Sequence, residues 1–160
     1  MRIHTSSHGD WQKFGIPLSD LKKFWHRAKR YPFLRLEGIH SHTSLNEDAK
    51  PYVDTICAIA TYISTHFTKN ELHKITFIDL GGGFYPHKTD GYYPWVTPAG
   101  EIAQIAYEED GQRSPFLHPH YRTDAIPLES YARDIGHAIK KYLSPLLDCA
   151  YYFEPGRIIS

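Results

Sequence analysis

The chain has 160 residues, with 18 basic and 18 acidic side chains and a formal net charge of zero. That length allows one domain with a sizeable core, and the lack of a basic stripe, acidic tail or charge block argues against nucleic acid as a partner. No stretch approaches the roughly 18 apolar residues of a membrane span, and no apolar signal region follows Met1 to His4.

Cys57 and Cys149 lie in apolar segments and read as small buried hydrophobes rather than as a disulfide. A reduced, cytoplasmic protein is expected.

Arg2 to Thr5 reads as a strand and the polar run from Ser6 to Lys13 as a loop. Pro17-Leu18-Ser19 introduces a helix. Ser19 is its expected N-cap, Leu21, Phe24, Trp25 and Ala28 form its apolar face, and Pro32 is its stop. Leu34 to His42 is the next strand. Glu47 to Phe67 is a second helix with Pro51 near its first turn. Its expected buried face is Val53, Ile56, Cys57, Ala60, Ile63 and Phe67. Ile75 to Leu80 is a nearly continuous apolar strand, as in parallel sheets covered on both faces.

Pro86 to Arg122 is rich in Pro, Gly, Tyr and His and is too long for an ordinary connection. Within it, Ile102 to Tyr107 could be a short helix or strand. Pro127 to Tyr142 is a third helix with Leu128, Tyr131, Ile135, Ala138, Ile139 and Tyr142 on one side. Asp148 to Ile159 is a last strand. The alternation argues for a parallel α/β architecture. About four strands with intervening helices do not close a (β/α)8 TIM barrel, so a partial barrel is expected, completed by more chain or by a second one.

In such barrels functional residues lie at the C-terminal ends of strands. Here those ends carry Arg2, His42, Gly81-Gly82-Gly83 and Glu154-Pro155-Gly156-Arg157. Three glycines let backbone N–H groups approach an anion, though a tight strand-to-loop turn is the plainer explanation. Arg157 can hold a phosphate in a bidentate fork. Glu154 could keep a pyridine nitrogen protonated, which makes the ring an electron sink. Asp79, between core residues Ile78 and Leu80, reads as structural.

His40 and His42 share a strand face. They could be a metal pair of a hydrolase, a ring-stacking histidine above a packed one, or ordinary core and surface histidines.

Four stretches, in this order, resemble the pyridoxal-phosphate-dependent diaminopimelate, ornithine and arginine decarboxylases, whose barrel is alanine-racemase-like. They are Lys13-Phe14-Gly15-Ile16, Gly38-Ile39-His40-Ser41-His42, Asp79-Leu80-Gly81-Gly82-Gly83-Phe84 and Glu154-Pro155-Gly156-Arg157. The resemblance covers most of the chain except 86–122, which looks like an insertion.

It implies pyridoxal 5'-phosphate as cofactor and no metal. It implies that His42 stacks on the ring, that Glu154 pairs with the ring nitrogen, and that Gly81, Gly82, Gly83, Gly156 and Arg157 bind the phosphate. Arg2 matches a strand-end arginine near the cofactor. The implied reaction is decarboxylation of a basic or diamino acid, with the diaminopimelate branch favoured by His-x-His, releasing CO2 through a resonance-stabilised carbanion.

Departures from the family pattern are Thr43-Ser44-Leu45, where a hydrophobic residue and Gly-Ser are usual, so Ser44 would reach phosphate from one position early. The Schiff-base lysine, the first strands and the C-terminal β-domain have no counterpart, and neither Lys13 nor Lys88 stands in the lysine's place. The chain alone is therefore expected to be inactive, and to need the rest of the barrel or a second chain in what is a homodimeric family. A non-catalytic, decarboxylase-like regulator or binding module is the alternative.

Overall fold

The computed structural model describes residues 1–5, 14–44, 46–92, 102, 105–106 and 120–156. In chain order the elements are β1 (Ile3–His4), β2 (Ile16–Pro17), a 3-10 turn (Leu18–Asp20), α1 (Leu21–Ala28), β3 (Gly38–His40), α2 (Lys50–His66) and α3 (Lys69–Leu72). There follow β4 (Phe77–Asp79), β5 (His87–Tyr92), β6 (His120–Asp124), α4 (Leu128–Ala138), a π turn (Ile139–Leu143) and β7 (Ala150–Tyr152).

β3, β4 and β7 form one parallel sheet with β4 in the middle. Ile39 stands beside Ile78, and Ile78 beside Tyr151. β1 joins the free side of β3 through a parallel bridge from Arg2 to His40, and the His40 N–H donates to the Met1 carbonyl at 2.8 Å. β2 pairs in parallel with β1. The spatial order is therefore β2-β1-β3-β4-β7, a parallel α/β array that matches the expected barrel segment and adds the short β2, too brief to show a period. No closed barrel forms among the described residues.

The core lies between the sheet and its helices. Ile3, Ile39, Ile78 and Leu80 from the strands meet Leu21, Trp25, Ile56, Ile59, Ile63, Tyr131, Ile135 and Leu143. Each such aliphatic side chain contributes about 1.5–3 kcal/mol on full burial. On α1 the buried residues are Leu21, Trp25 and Ala28, while Phe24 is exposed. Ser19 falls inside the 3-10 turn and caps nothing; Asp20 holds the N-cap position of α1 without a side-chain cap bond.

The buried face of α2 is Tyr52, Thr55, Ile56, Ile59, Ala60 and Ile63. Val53 and Cys57 are only half-buried, so the expected stripe was rotated by about one position. Tyr52 displaces Val53 because its hydroxyl finds a backbone acceptor in the core, which a burial pattern alone does not register. Both cysteines are unbridged and half-buried rather than buried.

α3 opens with a reciprocal capping box between Thr68 and Glu71. Glu71 also accepts from Lys22, from His26 Nε2 at 2.9 Å and from Lys29 Nζ at 3.0 Å, which ties α3 to α1. Burial opposes its ionisation, but these hydrogen bonds and that from the Thr68 backbone win and hold its carboxyl far below the usual range.

Across 87–124, β5 and β6 form an antiparallel ribbon that runs two residues past the expected insertion, with Gly91 beside Tyr121. Of the short element expected at Ile102 to Tyr107, Ile102, Ile105 and Ala106 are helical, and the remainder lies outside the described residues. The expected strands at Leu34–His42 and Ile75–Leu80 are each reduced to three laddered residues, as is the described part of Asp148–Ile159, of which 157–159 lie outside the described residues. Backbone bonds nonetheless continue past them: Ser41 N–H to Asp79 O at 2.8 Å, Leu80 N–H to Tyr152 O at 3.0 Å and Glu154 N–H to Gly81 O at 2.9 Å. Those extra rungs position the residues beyond the strand ends.

Candidate functional site

Beyond the ends of β3, β4 and β7 the three motifs meet. His42 follows β3, Gly81-Gly82-Gly83 follows β4 and Glu154 follows β7. The Glu154 Oε2 atom stands 3.1 Å from His42 Nδ1 and 3.9 Å from His40 Nε2. The Glu154 side chain is 49% exposed, against 29% for His42 and 24% for His40, so the carboxylate opens to solvent above two half-buried rings.

Burial disfavours the charged form of His40 and lowers its pKa, outweighing the pull of Asp79 and Glu154, while Arg2 and His42 add to the lowering. His40 is therefore neutral at neutral pH.

The glycine turn is a tight fit against its neighbours. A Cβ on Gly82 would stand 2.2 Å from the Glu154 carbonyl oxygen. Gly83 takes φ +94°, a backbone region that side chains disfavour, and its Cβ would meet the Thr43 carbonyl at 2.2 Å. The turn is tethered on all sides. The Gly81 N–H donates to Asp79 Oδ1 at 2.9 Å, which makes Asp79 a structural anchor as its core neighbours suggested. The Gly82 N–H points at His42 Nδ1 at 3.3 Å. The Tyr52 hydroxyl donates to Gly82 O at 2.8 Å, and the Asn46 N–H to Gly83 O at 2.9 Å.

Asn46 is held in turn by the Tyr131 hydroxyl, which donates to its carbonyl at 2.6 Å. Burial pushes the Tyr131 phenol up to about 12, so it stays a donor at any ordinary pH. Tyr52, Phe84 and Tyr131 pack ring on ring beneath the turn, with Tyr52 and Phe84 stacked at 4.7 Å between centroids. Sequence reasoning missed Tyr52 and Asn46. The signal available was a tyrosine on the helix face that looks toward the strand ends.

The other expected residues are less central. Arg2 lies one strand over, with its guanidinium carbon 5.3 Å from the centre of the Phe14 ring. Ser44 is exposed, and its Cα backs Gly83. Gly156 is exposed, and a Cβ placed on it would meet nothing within 4 Å among the described residues. Arg157 lies outside the described residues.

Residues 2–113, well over half of the chain, match the family described as pyridoxal-dependent decarboxylase, pyridoxal binding domain. The chain belongs to that family. No curated protein matches it.

Among solved structures, this pyridoxal-binding domain resembles lysine decarboxylase from Selenomonas ruminantium, with TM-score 0.62 and 18% identity over 99% of this chain and 33% of that one. It resembles lysine/ornithine decarboxylase from Vibrio vulnificus complexed with putrescine, with TM-score 0.62 and 20% identity over 99% and 32%. It resembles the biosynthetic arginine decarboxylase of Campylobacter jejuni, with TM-score 0.64 and 18% identity over 100% and 22%. At these identities the likeness is one of fold, and the chain spans about a third or less of each.

The residues present fit the family's cofactor. A flat ring with a basic nitrogen needs a solvent-open carboxylate, and Glu154 is one. The glycine turn packs directly against the backbone that carries this carboxylate, since a Cβ on Gly82 would fall on the Glu154 carbonyl. Among the described residues His40 Nε2 is buried without a hydrogen-bond partner, 3.9 Å from the carboxylate.

Proposed function

We propose that the chain is part of the cofactor-binding barrel of a pyridoxal-phosphate-dependent decarboxylase acting on a basic or diamino acid. The observation that carries this reading is Glu154 Oε2 at 3.1 Å from His42 Nδ1, across the glycine turn. The basic amino acids handled by the similar structures, lysine, ornithine and arginine by name, support the substrate class. The His-x-His form of His40-Ser41-His42 favours a diaminopimelate-like branch.

When bound, pyridoxal phosphate supplies an electron sink for the charge left as CO2 departs. This chain's residues do the rest. Glu154 holds a proton at the ring nitrogen, and His42 orients that carboxylate while offering its ring face. Gly81, Gly82 and Gly83 keep side chains away from the phosphate. Gly156 and Arg157 clasp it, with Ser44 at its edge, and Arg2 steadies the strand end beside His40.

The lysine that holds the cofactor covalently has no counterpart here. The working enzyme needs the rest of the barrel, and the family's homodimer is the expected assembly. We read 86–122 as an insertion and the location as cytoplasmic, a reading supported by two unbridged cysteines. No helix among the described residues is long and apolar enough to cross a membrane.

The test is a native mass with an absorption spectrum before and after pyridoxal phosphate is added. A larger complex with a near-visible band that borohydride bleaches supports a decarboxylase whose lysine comes from elsewhere. A complete assembly with no such band, no cofactor retention and no CO2 release from lysine, ornithine, arginine or diaminopimelate overturns it.

A further inference from the structure

The same strand ends carry a second chemistry. His40, His42 and Glu154 each offer one donor atom, and the three atoms lie within 4.8 Å of one another. Around a tetrahedral zinc with bonds of about 2.0–2.1 Å, donor atoms stand roughly 3.3 Å apart. The distances from Glu154 Oε2, 3.1 Å to His42 and 3.9 Å to His40, bracket that value. Two imidazoles and one carboxylate with an open side are the donor set of many zinc centres that keep a water ligand.

One hydrogen-bonding conflict and one unpartnered nitrogen point the same way. The Gly82 N–H points at His42 Nδ1, and so does the Glu154 carboxylate. One imidazole nitrogen can accept from the first or donate to the second, not both. A cation between His42 and Glu154 takes the Nδ1 lone pair in place of the long 3.3 Å Gly82 contact and faces the carboxylate with a positive charge. His40 Nε2, buried and unpartnered, is the third lone pair aimed at the same space. The charges facing His40 are the Asp79 and Glu154 carboxylates and the Arg2 guanidinium, which sum to one net negative charge.

We propose that His40, His42 and Glu154 together bind one divalent cation of the zinc class whenever no pyridine ring occupies the site. The proposal does not depend on the cofactor reading, because the donors are the chain's own.

The test titrates zinc chloride into the metal-stripped 160-residue chain by calorimetry, with no cofactor present. One saturable site is expected, with binding weakened at least about tenfold in His40→Asn and in Glu154→Gln, each of which removes one donor. The chain has 11 histidines, so the double variant His118→Ala, His120→Ala serves as a control and should leave the affinity unchanged.

Cobalt(II) bound to the wild-type chain gives a reading that needs no variant. A four- or five-coordinate visible spectrum, abolished by zinc, supports the site. A spectrum like that of the aqueous ion, no saturable zinc binding below about 1 mM (a binding free energy of about −4 kcal/mol), or binding unmoved by both single variants overturns it.

Discussion

Glu154 Oε2 and His42 Nδ1 lie 3.1 Å apart although 112 residues separate them in sequence. Neither residue touches the other through any local motif. The pair exists because β3, β4 and β7 are neighbours in register, so that backbone bonds run from Ser41 to Asp79 and from Glu154 to Gly81.

If Glu154 holds a proton at the ring nitrogen, Glu154→Gln in the complete enzyme should cut kcat at least about tenfold while leaving cofactor retention nearly unchanged, as for a group acting in the transition state. Arg157→Ala should instead loosen the cofactor, seen as faster loss on dialysis. Equal and negligible effects of both would remove these roles.

Gly82→Ala should destabilise the chain by about 1–3 kcal/mol through forced backbone shifts, because its new carbon falls on the Glu154 carbonyl. Gly156→Ala meets nothing in this structure and should be neutral for stability. If Gly156 instead lines the phosphate, the same change weakens cofactor binding alone. Urea unfolding and cofactor titration of both variants separate these outcomes.

Tyr131→Phe removes the bond to the Asn46 carbonyl and should cost about 1–3 kcal/mol, measured by urea unfolding. Tyr52→Phe, which frees the Gly82 carbonyl, should cost a similar amount. Both substitutions keep the stacked ring, so the loss reports the hydroxyl and not the packing.

Glu71→Gln should destabilise the fold at neutral pH by roughly 1–3 kcal/mol, the range for charged hydrogen bonds. The carboxyl is lowered in the folded chain from its ordinary value of 4.5. Its contribution is therefore full above that value and drains away as pH falls below it. The gap between wild type and Glu71→Gln should narrow from about pH 5 downward, and a gap that stays constant with pH would refute the ion-pair origin.

Zinc and pyridoxal phosphate should exclude each other, since both claim Glu154. A fixed zinc concentration near the wild-type dissociation constant should raise the apparent dissociation constant for the cofactor in the wild type and raise it less in His40→Asn. Binding of both at once would separate the two sites.

Much of this arrangement was legible in the order of residues. The helices at Leu21, Lys50 and Leu128, the apolar strand through Ile78 and the four strand-end motifs stand out because period and punctuation agree there. Asp79 reads as structural from its core neighbours, and its carboxylate accepts from the Gly81 N–H. What stayed hidden depended on tertiary partners. Tyr52 looks like one more aromatic until its hydroxyl meets Gly82. Asn46 looks like loop until it ties Gly83 to Tyr131. Thr68-x-x-Glu71 is a legible capping signature, yet nothing local says that Lys22, His26 and Lys29 converge on that carboxylate. β2 is two residues long and carries no pattern to read.

The two tyrosine hydroxyls beneath the glycine turn have a consequence for how change reaches this site. They tie the turn to α2 directly and to α4 through Asn46, in addition to its bonds to His42 and Glu154. A substitution in the helix layer that tilts either helix by a fraction of an ångström pulls on the turn, and through it on His42 and Glu154. Substitutions on the backs of these two helices should therefore shift the geometry of the turn as readily as substitutions at the turn itself.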